Sequence, residues 1–253
     1  MIFLPHKTTN NHKPLFIYLP GMDGSGKLLK SQKGIWENFD VRCVAIPPSH
    51  GIHWQDLTRQ LMILISPLLK ENREIYLCGE SFGACLALKL MENIPNLFTK
   101  VILINSASAF YQRPWLNLGS YITQMMPDFV YQGSTLILLP FLAKLEALNS
   151  RERQRLLSVI ASLPPTIVSW RINLLEKFFL NQDKLNQYKK QVLIIASGED
   201  KLLPSLNEAK RLNSIFSQSK INLLPESGHC CLLEKQVDLL KVMENNQEFV
   251  STV

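Results

Sequence analysis

The most constraining feature of this chain is the run Leu77-Cys78-Gly79-Glu80-Ser81-Phe82-Gly83-Ala84, where a serine stands between two glycines at the junction of two hydrophobic patterns. Residues 74–80 hold a short apolar run that predicts a buried strand, and residues 82–93 carry a helical period with small residues at the start. A strand that becomes a helix within one residue must turn sharply. Side chains at positions 79 or 83 would collide with neighbouring backbone, and the residue between is forced into a strained conformation. That strain exposes Ser81 Oγ at the carboxyl end of the sheet, beside a helix N-terminus that favours developing negative charge. A chance match to a five-residue pattern is the competing explanation, and the strand before and helix after weigh against it.

The flanks repeat the alternation. Apolar runs at 15–19, 41–46, 101–105, 191–196 and 221–224 read as strands, the first two closed by Pro20-Gly21 and Pro47-Pro48. Residues 54–70 place Leu57, Leu61, Leu64, Ile65, Leu68 and Leu69 at helical spacing, and 205–216 and 230–243 read as further helices. Continuous apolar strands separated by helices imply a mostly parallel sheet covered on both faces. Between 111 and 187 the pattern changes to helix-like segments with prolines at 114, 127, 140, 164 and 165 and no convincing strand. The 253 residues therefore divide into an α/β core, 1–110 with 188–253, and an all-helical cap inserted at 111–187.

A serine hydroxyl needs a base to become a nucleophile at neutral pH. Of the histidines at 6, 12, 50, 53 and 229, His229 follows the last predicted strand in Glu226-Ser227-Gly228-His229, where a Ser-Gly pair lets the loop reach back over Ser81. The base needs an acid to fix its tautomer. Asp200, in Ser197-Gly198-Glu199-Asp200 after the strand at 191–196, is the expected acid, with Glu199 as its competitor. An acid after the strand at 101–105 is excluded by residue type, since that stretch reads Asn105-Ser106-Ala107-Ser108. The oxyanion needs two N–H donors. The amide of Phe82 is one, and the amide of Met22, in Pro20-Gly21-Met22-Asp23-Gly24-Ser25-Gly26, is the expected second. Asp23 and Ser25 in the same loop are candidates for contact with a substrate head group or, equally, turn residues. A phosphate-binding loop is the rival reading of this glycine-rich stretch, but the first glycine is out of register and Leu28, not Ser or Thr, follows Lys27.

Lys and Arg outnumber Asp and Glu by 27 to 21, without a basic block or an interleaved aromatic stripe, so no nucleic-acid partner is expected. The surplus of charge reads as a solvated surface, with weak attraction to anionic lipid or acidic substrates as the alternative. The odd count of five cysteines, all in apolar segments, predicts reduced, buried thiols and a cytoplasmic setting. Cys230-Cys231 has no second cluster to complete a metal site, and no cofactor is implied. The N-terminus lacks an export-signal pattern, and no run of 18 apolar residues is present.

With these residues placed, the sequence resembles the α/β-hydrolase superfamily, and within it the esterase/lipase/thioesterase group of photosynthetic organisms that includes the plastid phytyl ester synthases. The resemblance rests on Leu19-Pro20-Gly21-Met22-Asp23-Gly24-Ser25-Gly26, on Gly79 to Ala87, on Ser197-Gly198-Glu199-Asp200-Lys201-Leu202-Leu203-Pro204-Ser205, and on Gly228-His229. It implies an α/β-hydrolase fold and acyl transfer from activated or esterified fatty acids to alcohols such as phytol or diacylglycerol. The similar plant proteins carry a further acyltransferase-like domain, whereas this sequence ends at Val253. If that domain performs the transfer, hydrolysis alone is expected of these residues. The apolar runs at 136–142 and 174–180 suit a cap that lines an acyl pocket or rests on a membrane, and equally a cap with its own core. Two other functions fit the same residues. One is a hydrolase of a small metabolite ester, thioester or C–C bond, expected to have a short polar pocket. The other is a non-catalytic binding protein on this fold.

Overall fold

The computed structural model of the chain describes residues 1–5, 12–46, 51–70, 73–112, 139–246 and 249. Among the described residues, seven strands form one sheet in the order β1-β3-β2-β4-β5-β6-β7. They are β1 (Ile2–Phe3), β2 (Leu15–Leu19), β3 (Asp40–Ala45), β4 (Ile75–Glu80), β5 (Lys100–Ile104), β6 (Gln191–Ser197) and β7 (Ser219–Leu224). Only β1 runs antiparallel, against β3; every other pairing is parallel. The mostly parallel sheet expected from the continuous apolar runs is therefore the sheet observed.

Alternate residues of the strands feed two cores, one on each face, as the pleat requires. Leu15, Ile17 and Leu19 of β2 point to one face, where they meet Leu57, Leu61 and Ile65 of α2 (Trp54–Ile65), Leu86 and Leu90 of α3 (Phe82–Asn93) and Leu212 of α7 (Ser205–Ile215). Phe16 and Tyr18 point to the other, against Ile35 of α1 (Lys33–Asn38) and Leu239 and Met243 of α8 (Leu239–Glu244). Each such aliphatic side chain taken out of water contributes on the order of 1.5–3 kcal/mol. All five cysteines are free thiols and buried.

The strands end in step. Leu19 pairs with Gly79, Glu80 with Ile104, and Ile104 with Ile195. The loops that follow β2, β4 and β6 thus emerge along one rim, and that rim carries the predicted chemistry.

Between β5 and β6 the described residues hold α4 (Ser150–Ala161), α5 (Pro165–Glu176) and α6 (Gln182–Asn186) and no strand. Asn149 caps α4 by accepting from Glu152 N–H, and α5 starts on Pro165, whose missing N–H costs nothing in a first turn. Leu156, Val159 and Ile160 of α4 share a small core with Leu28, Cys230 and Leu233, whereas Leu174 and Leu175 of α5 and Leu180 join the main core. Residues 136–138 of the first apolar run lie outside the described residues, as do His6 and His50. No helix among the described residues is long and apolar enough to cross a membrane.

One local expectation differs, and two short elements had none. Residues 230–243 are not one helix: a 3-10 turn spans Cys231–Leu233, and α8 begins only at Leu239, where Asp238 accepts from the amides of Leu240 and Lys241. Gln32 splits the segment further by bonding the Leu232 and Val237 carbonyls and the Leu239 amide. The two-residue β1 and the six-residue α1 were too short to leave a periodic signal.

Candidate active site

Ser81 follows β4 directly and caps α3 with φ 53° and ψ −111°, one of two described non-glycine residues with positive φ. Its amide is tied to the Ile104 carbonyl at 2.9 Å, and its own carbonyl accepts from Ala107 N–H at 3.2 Å, so the neighbouring strand holds the turn. The flanking glycines are required by close approach. A Cβ on Gly79 would stand 2.6 Å from the Gly83 oxygen, and one on Gly83 2.5 Å from the Leu19 carbonyl carbon and 2.6 Å from the Pro20 oxygen. All of these obstacles are backbone atoms.

His229, in the loop after β7, puts Nε2 3.0 Å from Ser81 Oγ and Nδ1 2.7 Å from Asp200 Oδ2. Asp200, in the loop after β6, is held on its far side: Oδ1 accepts from the amides of Leu202 and Leu203, both at 2.9 Å, and Oδ2 accepts from Ser205 Oγ. Burial by itself would raise the Asp200 pKa, but the His229 charge and these hydrogen bonds outweigh it and hold the carboxyl below its ordinary range. Burial by itself would lower that of His229, yet the charge and hydrogen bond of Asp200, helped by Glu80, raise it. The competing Glu199 is turned outward into an ion pair with Lys144 at 3.1 Å. The structure thus brings together Ser81, His229 and Asp200, and such a line can pass a proton from hydroxyl to imidazole.

The loop after β2 lies against this line. A Cβ on Gly21 would be 3.7 Å from Ser81 Cβ, which puts the Gly21–Met22 peptide beside the serine. Phe82 follows Ser81 directly, and its ring stacks on Trp54 at 4.8 Å between centroids. Asp23 and Ser25 are engaged with one another: the Asp23 carboxylate accepts from both the amide and the hydroxyl of Ser25, closing a tight turn.

Four polar residues at this rim escaped the sequence reading. Asn105 (φ 43°) accepts from Ser197 N–H at 2.8 Å and donates to Ser197 Oγ at 2.9 Å and to the His229 carbonyl at 2.7 Å, so one side chain ties the acid strand to the base loop. Glu234 accepts from Gly228 N–H at 2.8 Å on the other side of His229. Glu80 is buried, accepts from Tyr18 Oη, and is pushed by burial up to about 7, against the Tyr18 hydrogen bond and the His229 charge. Arg171 of α5 is 1% exposed and donates to the Met22 carbonyl and, at 2.9 Å, to the Ile46 carbonyl. The available signals were weak: Asn105 ends a strand, and Arg171 is a lone cation in an otherwise apolar stretch of α5. A cleft of about 400 Å³ lies between α5 and the loop before α2, lined by Ile52, His53, Trp170, Leu174 and Lys177 among others.

Comparison with known proteins is consistent in kind. The family described as alpha/beta hydrolase fold matches residues 68–236. Phytyl ester synthase 1, chloroplastic, of Arabidopsis thaliana is 29% identical over 263 residues, which cover 93% of this chain and 37% of that protein. This chain therefore spans well under half the length of that relative. The pimeloyl-[acyl-carrier protein] methyl ester esterase of Nitrosomonas europaea is 27% identical over 167 residues, 62% of this chain and 64% of that one. Among solved structures, MenH from S. aureus superposes with a TM-score of 0.77 over 97% of this chain and 98% of its own, at 15% identity, a likeness of fold alone.

Proposed function

Since the chain belongs to the alpha/beta hydrolase family, we propose that it is a serine-dependent acyl-ester hydrolase or acyltransferase acting on an apolar, lipid-like acyl group through an acyl-enzyme. Ser81 Oγ attacks the acyl carbonyl carbon as its proton passes to His229 Nε2. The amides of Met22 and Phe82 donate to the oxyanion. The tetrahedral adduct then collapses: the C–O or C–S bond to the leaving group breaks, and His229 returns its proton to that group. Water or an alcohol attacks the acyl-enzyme in the second half, giving its proton to His229, which passes it to the departing Ser81 Oγ. Asp200 keeps the imidazole in the tautomer that presents Nε2 to the serine and offsets the charge of the imidazolium.

The single observation that carries this reading is the 3.0 Å approach of His229 Nε2 to Ser81 Oγ with Asp200 at 2.7 Å behind it, on an elbow whose glycines admit no side chain. The apolar acyl group is favoured by the phytyl ester synthase relative. That relative's chloroplastic location favours a plastid setting over the cytoplasmic one suggested by the cysteines. The pimeloyl methyl ester esterase relative favours a second reading, hydrolysis of a smaller ester with no alcohol acceptor.

A fluorophosphonate probe is expected to label the wild type and not Ser81→Ala; an unlabelled wild type overturns the mechanism. p-Nitrophenyl esters and acyl-CoA of graded length, with and without a long-chain alcohol, separate the two readings. No turnover beyond about eight carbons, an order-of-magnitude threshold for a lipid pocket, rejects the lipid substrate.

A further inference from the structure

Arg171 is the largest side chain in the fully buried set, and it comes from α5, between β5 and β6, not from the strands that carry the triad. A buried guanidinium is costly unless its donors are used. Here both terminal nitrogens are spent on backbone, one donating to the Met22 carbonyl and the other to the Ile46 carbonyl at 2.9 Å, which joins the loops after β2 and β3, while Nε finds no partner among the described residues. The guanidinium carbon also lies 5.9 Å from the centre of the Phe82 ring, within cation–π range. Arg171 thus touches both residues whose amides face the proposed oxyanion, Met22 through its carbonyl and Phe82 through its ring.

The loop is shaped to receive it. Gly24 has φ +63°, and a Cβ there would stand 2.5 and 2.6 Å from the two terminal nitrogens of Arg171. Asp23, next to it, supplies compensating negative charge. Two further bonds seat the same helix: Trp170 Nε1 donates to the Ile52 carbonyl at 3.1 Å, and Trp54 Nε1 donates to the Leu174 carbonyl at 2.8 Å. The Met22 amide shares its rigid peptide plane with the Gly21 carbonyl, which Gly24 N–H holds at 3.0 Å; Arg171, by fixing the Met22 carbonyl in the next plane, limits the ψ rotation of Met22 and so steadies the same turn.

We propose that Arg171 is the positioning residue of the oxyanion hole, so that the hole is complete only while α5 is docked on the loops after β2 and β3. This rests on the acyl-enzyme reading above. Its consequence is that the docking of α5 governs the chemical step. Arg171 itself touches no reacting atom.

The test compares wild type with Arg171→Ala and Arg171→Lys in ester hydrolysis and in inhibition by a trifluoromethyl ketone, which forms an oxyanion at the serine. A misdirected donor is expected to lower kcat by about 10–10²-fold, below the roughly 10²–10³-fold of a donor removed outright. KM is expected to stay within about twofold, because ground-state binding is not the donor's task. Ketone affinity is expected to fall by the same factor as kcat/KM, and added methylguanidine to restore part of the activity of Arg171→Ala. Should Arg171→Ala not fold, Arg171→Lys decides, since it keeps the charge but replaces the planar fork of two terminal nitrogens with a single nitrogen on a flexible stem. A kcat within threefold of wild type in a folded variant overturns the proposal, as does a kcat loss that leaves ketone affinity unchanged. A wild type that neither turns over esters nor takes a fluorophosphonate overturns the acyl-enzyme reading instead.

Discussion

Gly83→Ala tests whether the elbow is as tightly built as its geometry implies. The added methyl would stand 2.5 Å from the Leu19 carbonyl carbon and 2.6 Å from the Pro20 oxygen, and it faces the Leu19 oxygen more closely still. Comfortable carbon contacts start near about 3.4 Å, so the gap is short by about 0.8 Å or more. None of the three atoms can rotate away, because all belong to the backbone between β2 and the loop after it. Either α3 withdraws from the sheet or β2 shifts against β4, and both carry packed side chains from the first core. Overpacking a core by one methyl costs roughly 1–3 kcal/mol and more where nothing yields; a value of at least about 3 kcal/mol is expected here. That is a substantial part of the roughly 5–15 kcal/mol that holds a domain together. In urea, with a slope near about 3 kcal/mol per molar for a chain of this size, the midpoint should fall by about 1 M. Gly21→Ala is the internal control. Its methyl meets only ordinary contacts of 3.7–3.8 Å, one of them with Ser81 Cβ. Its midpoint should hold while ester turnover falls, since the methyl occupies space the acyl carbonyl needs. A Gly83→Ala midpoint within about 0.3 M of wild type, or a Gly21→Ala variant that loses stability and keeps activity, would falsify this account of the elbow.

Other perturbations read other parts of the rim. Because the His229 pKa is raised above 6.5, kcat/KM of the wild type should climb with pH through a midpoint above 6.5; Asp200→Asn should move that midpoint down and cut kcat by roughly 10²–10⁴-fold, and an unmoved midpoint would assign the limb to another group. Glu80 rises from an ordinary 4.5 to about 7 on folding, so between those pH values the unfolded chain loses its proton first and stability declines as pH rises. The difference in urea stability between wild type and Glu80→Gln should therefore change across that window and be flat above about pH 8; a flat difference throughout contradicts the shift. Asn105→Ala strips partners from the Ser197 amide and the His229 carbonyl, each costing about 1–3 kcal/mol if left unpaired. It should lower both the urea midpoint and kcat, and a variant with wild-type kcat would show that the His229 loop holds itself.

The parts of this molecule that could be read from sequence are those whose cause is local. Strands such as β2 and β4 are buried on both faces and so appear as unbroken apolar runs, and the elbow announces itself because only glycine fits at positions 79 and 83. The order Ser81, Asp200, His229 was legible because each follows a strand of the same sheet. What was not legible depends on contacts between distant segments. The Asn105 bonds span 92 and 124 residues, and the stretch around it was read only for the acid it lacks. Arg171 reaches a carbonyl 149 residues away, and nothing in a helix sequence says that one cation will turn inward. The break between Cys231–Leu233 and α8 was missed for a related reason: Gln32, some 200 residues earlier, takes the backbone groups that a continuous helix would have paired.

The chain leaves the sheet at the end of β5 and returns at the start of β6, and these two strands are bonded neighbours in flush register. Whatever lies between them can change length or sequence without altering a single ladder bond of the sheet. The exit also opens on the rim that holds Ser81, and α5, from the same stretch, reaches the Met22 loop there through Arg171. A lineage carrying such a scaffold can exchange the intervening stretch by recombination at two cuts and keep the sheet intact. A laboratory can do the same with a chimera that retains residues through Phe110, so that Asn105 and the Ala107 amide stay in place, and from Tyr188 onward, provided the grafted stretch brings its own answer to the Met22 loop.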